Sequence, residues 1–194
     1  MTRLALCAAL PVLLFASLAQ ATTVVALDDA GLVRNSSVIG VVQVLRTHSE
    51  STSKGVFTLA EVQFYQSLKG MQRGDVLTVQ TPGGPMGNGM VMRIAGAPQF
   101  QVGQMFLGFF HDHGGVFKPT AMSLGVMPIV RDADGIARVV QKIDGLGFLT
   151  PDGKSSAARV RVNNEPLADV LARFRELVER NEGPDEPTDP GVQR

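Results

Sequence analysis

The sequence predicts a mainly β domain, a small antiparallel barrel or sandwich closed by one amphipathic helix. Short apolar runs recur along the chain, and glycine and aspartate turn signals separate them. Several of these runs alternate apolar and polar residues, which is typical of strands with one buried face. Near the end of the chain the apolar residues recur at helical spacing instead. These observations together favour strands packed around one core, with a helix on the outside.

The first 21 residues predict a signal peptide. Arg3 supplies a positive start, the run Leu4–Leu18 is almost entirely apolar, and small residues at 19 and 21 predict cleavage after Ala21. The run is shorter than the roughly 20 residues that a membrane span needs. We therefore expect a periplasmic or extracellular protein that does not contact the membrane after cleavage.

Cleavage removes Cys7, the only cysteine of the chain. Its position also argues against lipidation, which needs a cysteine at the cleavage point. The exported chain then has no disulfides and depends on packing. Eighteen basic and 18 acidic residues balance each other over the whole chain, without the basic clustering expected of a nucleic-acid partner. We expect one β-rich domain over 22–181 and no nucleic-acid binding.

The N-terminal part predicts a strand, a short helix and a second strand. Thr23–Leu27 is a short apolar strand, and Asp28 or Asp29 caps a helix that runs through Val33. Val38–Leu45 is β-branched and predicts a strand. The polar residues 48–55 predict a hairpin loop.

A long strand follows over Val56–Leu68. Alternation places one set of apolar residues on a single face: Ala60, Val62, Phe64 and Leu68. Asp75–Thr81 alternates in the same way and predicts the next strand. The glycine-rich segment Pro82–Gly89 predicts irregular structure, and Met90–Ile94 a short strand.

Met105–Phe110 is almost wholly apolar and predicts a strand that is covered on both faces. A strand at Val116–Phe117 follows. Val126–Val130 and Ile136–Ile143 predict a hairpin, because the turn between them ends in Asp-Gly. Gly145–Ser156 predicts a loop.

The chain ends in a predicted helix over 165–181, with Asn164 as its cap and Pro166 in its first turn. Its apolar face carries Leu167, Val170, Leu171, Phe174, Leu177 and Val178. Residues 182–194 are rich in Pro, Gly and acids and predict a disordered tail.

The order of several motifs resembles a family of uncharacterised exported bacterial proteins, some of them encoded near matrixin-type metalloproteases. The motifs that carry the resemblance are 33–42, 67–70, 76–79, 83–84, 96–100 and 102–110. The barrel pattern of that family is similar to the OB-fold of netrin-like domains and tissue inhibitors of metalloproteinases. Over Leu27–Phe117 the resemblance therefore implies an OB-like barrel and an exported protein partner such as a metalloprotease. Those inhibitors place an N-terminal cysteine on the protease zinc, which this chain lacks after cleavage, so no inhibitory residue carries over.

Two histidines form the sharpest polar cluster. In the run His111-Asp112-His113, residues two apart on a strand point to the same side, so His111 and His113 could hold a metal such as zinc. A third ligand must come from elsewhere, and His48 is the only other histidine. The same run is also typical of a polar strand end beside a glycine turn.

The sequence carries no known catalytic motif. It has no Gly-x-Ser-x-Gly elbow around Ser123 or elsewhere and no His-Glu-x-x-His zinc motif. The glycine-rich segment 83–89 lacks the lysine and hydroxyl of a phosphate-binding loop and favours a hairpin loop at a barrel rim. We therefore expect an exported, non-enzymatic binding or accessory protein without a cofactor. The alternatives are a periplasmic metal- or small-ligand-binding protein using His111 and His113, and an unrecognised hydrolase.

Overall fold

The computed structural model describes residues 22–87, 89–143, 146–149, 154–156 and 162–181. The predicted signal peptide 1–21 and the predicted tail 182–194 lie outside the described residues. No helix in the described part of the chain is both long and apolar enough to cross a membrane.

The described residues form thirteen strands, two α-helices and one 3₁₀ turn. In chain order they are β1 Thr22–Val25, α1 Asp29–Arg34, β2 Val38–Thr52, β3 Gly55–Lys69, β4 Val76–Pro82, β5 Gly84–Pro85, β6 Val91–Met92, β7 Met105–Asp112, β8 Phe117–Pro119, the 3₁₀ turn Met122–Gly125, β9 Val126–Arg131, β10 Ala137–Val140, β11 Leu146–Leu149, β12 Ser155–Ser156, β13 Asn163–Pro166 and α2 Leu167–Arg180.

Five strands close a β-barrel. β2 pairs with β3, β3 with β4, β4 with β8, β8 with β7, and β7 returns to β2. The β4–β8 pair is parallel and the others are antiparallel. This confirms the predicted OB-like barrel and decides against the sandwich.

β7 separates two apolar cores, as the two-sided burial predicted from its sequence requires. Phe106 and Phe110 point into the barrel, whereas Leu107 and Phe109 point outward, and all four are 0 % exposed. The inner core is the cluster inside the barrel: Val38, Val42, Val44, Ala60, Val62, Phe64, Leu77, Val79, Phe100, Phe106, Phe110 and Val126. The outer core lies between the barrel wall and the remaining elements, and includes Ile39, Val41, Leu107, Phe109, Met127, Val170 and Phe174.

α2 covers the outer core with the apolar face that its sequence predicts. The ring of Phe174 meets Phe109 at 4.8 Å between centroids in an edge-to-face arrangement. Arg173 lies beside this contact and pairs with Glu165 at 2.8 Å and Asp29 at 3.3 Å. The helix is therefore held by packing and by ion pairs to β13 and α1.

Two other predicted elements are confirmed in detail. The Asp28 carboxylate accepts a hydrogen bond from the Gly31 N–H at 2.6 Å and caps α1. β9 and β10 pair as the predicted hairpin, and Gly135 has the positive φ of 78° that its turn needs.

Three loop predictions were wrong. Residues 48–52 continue β2, so the hairpin turn shrinks to residues 53–54, because cross-strand pairing with β3 extends beyond the apolar part of the strand. The glycine-rich segment contains β5, which pairs with β6. The predicted loop 145–156 contains β11 and β12, and β11 pairs in parallel with β1.

Two positional predictions were also wrong. Leu68 packs against the outer core rather than with Ala60, because register irregularities between β2 and β3 shift the end of the strand. The last helix begins at Leu167 rather than 165, since residues 163–166 pair with β10. Asn164 lies in β13 with a φ of 57° and does not cap the helix.

Candidate binding site at the barrel mouth

Hydroxyl groups replace apolar side chains on the inner face of the barrel at one end. Ser49 on β2 is in register with Thr58 on β3, which is in register with Thr81 on β4. One step further into the barrel, Ala60 and Val79 are fully buried in the inner core. The polar residues therefore form a row across three neighbouring strands, at the mouth of an apolar barrel.

The β5–β6 hairpin lies against this hydroxyl row. The Thr58 hydroxyl donates a hydrogen bond to the Gly83 carbonyl at 2.8 Å. Gly84 has a φ of 136°, and a Cβ at this position would collide with the Thr58 hydroxyl and come within 2.6 Å of the Ser49 Oγ. Glycine is needed here both for its backbone conformation and for the close approach. The glycine-rich segment is therefore a short two-stranded hairpin that packs on the barrel, rather than the irregular loop predicted from its sequence.

A cleft of about 320 Å³ opens between the hydroxyl row, the β5–β6 hairpin and residues 93–100. Phe100 lines the cleft and is stacked on Phe106 of the inner core, with 5.3 Å between the ring centroids. The cleft therefore combines a polar floor with an apolar end, and its size suits a side chain or a short stretch of chain rather than a large ligand.

Exposed apolar side chains lie at the edge of this cleft, and two of them, Val91 and Ile94, line it. Met90, Val91 and Ile94 are 56 %, 52 % and 38 % exposed, and we call these three residues the apolar rim. They lie within five consecutive positions on and after the β5–β6 hairpin. Exposed apolar residues gathered beside a cleft are typical of interaction surfaces, whereas single ones are normal on any surface.

Charged groups near the mouth are arranged in pairs. The Arg46 guanidinium lies 2.6 Å from the Glu61 carboxylate, and this hydrogen bond holds the pKa of Glu61 below its usual range. His48, which lines the cleft, lies 3.4 Å from the Glu50 carboxylate. Arg93 instead donates a 3.4 Å hydrogen bond to the neutral Gln99, in the same segment of the cleft lining.

The predicted metal residues lie elsewhere, at the end of β7. His111 is half-buried and opposite Lys118 on β8, and His113 is exposed in the turn that follows. Burial lowers the pKa of His111, and the neighbouring His113 lowers it further. In the described part of the chain, no group of three His, Cys, Asp or Glu side chains is placed to hold a metal. His48 lies toward the opposite end of β2 from Val38, the residue that pairs with Phe110, and so does not join the pair.

Ser123 lies in the 3₁₀ turn, outside the cleft. Its hydroxyl oxygen is buried and has no hydrogen-bond partner among the described residues, so no base contacts it. An adjacent base is the usual way to activate a serine nucleophile. The geometry therefore supplies no support for the hydrolase alternative at this residue.

Sequence reasoning missed the hydroxyl row, although a signal for it was present. Thr58 precedes Ala60 by two positions and Thr81 follows Val79 by two, so both continue the buried alternation. Ser49 carries no such signal, because an irregularity in the pairing between residues 44 and 46 reverses the alternation of β2.

Comparison with known proteins adds no relative to this picture. No family model matches the chain, and no curated protein matches its sequence.

Proposed function

We propose that this chain is an exported, non-enzymatic binding protein that holds a segment of a partner protein at the mouth of its barrel. One observation carries the proposal: the cleft with its hydroxyl row lies directly beside the apolar rim. Hydroxyls both donate and accept hydrogen bonds, which suits a peptide backbone, and the rim suits apolar side chains of the same segment.

A binding role accounts for the side chains of the cleft better than catalysis does. In the described part of the chain, His48 is hydrogen-bonded to Glu50 and to no serine or threonine hydroxyl. The Thr58 hydroxyl donates to a backbone carbonyl, which is too weak a base to take its proton. The residues at the mouth thus supply shape and hydrogen bonds without an activated group.

The resemblance to exported bacterial proteins extends the proposal to an exported metalloprotease as the partner. The barrel would then present its mouth to the protease surface, without the cysteine-led zinc contact of tissue inhibitors. Export itself rests on the leader sequence 1–21. N-terminal sequencing of the exported protein tests that part, with Thr22 as the expected first residue.

Binding to a co-exported metalloprotease tests the partner. The purified protein and the protease should co-elute on size exclusion, and Val91→Asp should weaken the complex at least about tenfold, or about 1.4 kcal/mol. Val130→Asp is the matched control, because Val130 is 45 % exposed on β9, away from the cleft. Absence of a complex overturns the protease partner, and equal weakening by both variants overturns the barrel mouth as the site.

A metal-binding role for His111 and His113 is the second candidate. The observation in its favour is that His111, half-buried at the end of β7, has His113 two positions further along the chain. Burial also lowers the pKa of His111, which favours the neutral imidazole that binds a metal. Calorimetry with zinc and with copper tests it, with the His111→Ala/His113→Ala variant as control. Heat that persists in the double variant, or no heat at all, rules this site out.

A further inference from the structure

A second pocket lies behind the wall of the cleft. It has a volume of about 480 Å³ and is bounded by the chain between β6 and β7, by the 3₁₀ turn, by β9 and by Lys142, two positions after β10. Its polar lining consists of Arg93, Gln99, Gln101, Gln104, Ser123 and Lys142. No aspartate or glutamate lines it among the described residues. Arg93 also lines the cleft, so the two sites share one wall.

The two cations of this pocket have no carboxylate partner in the described part of the chain. Arg93 makes one hydrogen bond, to the neutral Gln99, and Lys142 has no ion pair or hydrogen bond with any residue that the structure describes. By contrast, Arg46 and Arg138 each lie 2.6 Å from an acid. Two cations with no carboxylate partner among the described residues line one pocket of a chain with zero formal charge, and they concentrate positive charge there.

The neutral side chains that line the pocket keep unused hydrogen-bond donors. Gln104 accepts a hydrogen bond from the Gln101 backbone N–H, and Gln99 accepts one from Arg93. Both of these partners can only donate, so each glutamine must offer its oxygen to them and keeps its NH₂ group for another acceptor. The Ser123 hydroxyl, buried without a partner in the described chain, adds a further unused donor.

We propose that this pocket binds a small oxyanion, a carboxylate or a phosphate, through Arg93 and Lys142 with the glutamine amides as secondary donors. A guanidinium recognises either group by paired hydrogen bonds, and an ammonium adds a point charge. The volume admits an organic anion larger than phosphate itself. The site does not depend on the partner proposed for the barrel mouth.

Calorimetry of the purified protein at low salt tests the pocket, with inorganic phosphate in one arm and succinate in the other. We expect single-site binding of at least one anion, and the tighter of the two identifies a phosphate or a carboxylate ligand. Arg93→Gln/Lys142→Gln should weaken binding at least about tenfold. Arg73→Gln/Lys54→Gln removes the same charge from exposed positions outside the pocket and should leave binding unchanged.

Three results overturn the proposal: neither anion binds, binding survives Arg93→Gln/Lys142→Gln, or the control variant weakens it equally. Circular dichroism of each variant confirms that the fold is retained. Val91→Asp separates this site from the barrel mouth, because Val91 lines the cleft and not this pocket. If Val91→Asp abolishes partner binding and leaves anion binding unchanged, the result supports an oxyanion site that is separate from the barrel mouth.

Discussion

Replacing Phe174 by alanine tests whether α2 is part of the folded core. Phe174 is 0 % exposed, packs edge-to-face on Phe109 at 4.8 Å and lies in the outer core. Removing a fully buried phenylalanine ring costs about 3–5 kcal/mol through lost transfer energy and the cavity left behind. Since small domains have a total stability of about 5–15 kcal/mol, this one change should remove a large share of it.

Urea unfolding followed by circular dichroism measures this loss. With an m-value of about 2 kcal/mol/M, a loss of 4 kcal/mol lowers the midpoint by about 2 M. Arg175→Ala is the control on the same helix, because Arg175 is exposed, and we expect a change within about 0.5 kcal/mol.

A double-mutant cycle with Phe109→Ala isolates the ring contact. The two aromatic residues should couple by about 0.5–1.5 kcal/mol beyond their separate losses. A loss below about 1 kcal/mol for Phe174→Ala would contradict the reasoning, because a helix that is not packed on the barrel can lose this ring cheaply.

Three further predictions concern the barrel and its charges. Gly40→Ala should lower the free energy of unfolding in urea by about 1–3 kcal/mol, because the added Cβ would lie 2.5 Å from the Gln66 carbonyl oxygen. Unchanged stability would contradict this close packing of β2 against β3. The hydrogen bond from Arg138 lowers the pKa of Asp132 below 3.8, so this ion pair stabilises the fold above pH 3.8 and its contribution is lost on acidification. An Asp132 carboxyl pKa of 3.8 or more, measured by NMR, would contradict this. Burial lowers the pKa of His111 below 6.5. The free energy of unfolding should therefore fall as the pH drops below 6.5, because the unfolded chain binds this proton more readily than the folded one. A His111 imidazole pKa above 6.5, measured by NMR, would contradict this.

Local signals in the sequence predicted those elements whose structure depends on neighbouring residues. The apolar run of β7, the Asp28 cap of α1 and the helical spacing of α2 each needed only a few adjacent positions. Closure of the barrel could not be derived in this way. It depends on the parallel pairing of Val79 with Phe117 and on the return of β7 to β2, which no local pattern records.

The same distinction explains the errors. The polar residues 48–52 form strand because β3 continues beside them, and Asn164 lies in β13 because β10 pairs with that segment. Long-range pairing overrode turn and capping preferences in both cases. The barrel mouth was foreseen only as a glycine-rich rim. The hydroxyl row depends on the register between β2, β3 and β4, and that register cannot be read from the sequence.

Site-specific photo-crosslinking from position 91 in the exported protein tests the central claim most directly. A photoreactive residue replacing Val91, beside the cleft, should form crosslinks to a distinct partner protein. The same residue replacing Val130, which is similarly exposed on β9, should form none. Crosslinks from position 91 alone are the predicted result. Crosslinks from neither position, or the same crosslinks from both, would contradict binding at the barrel mouth.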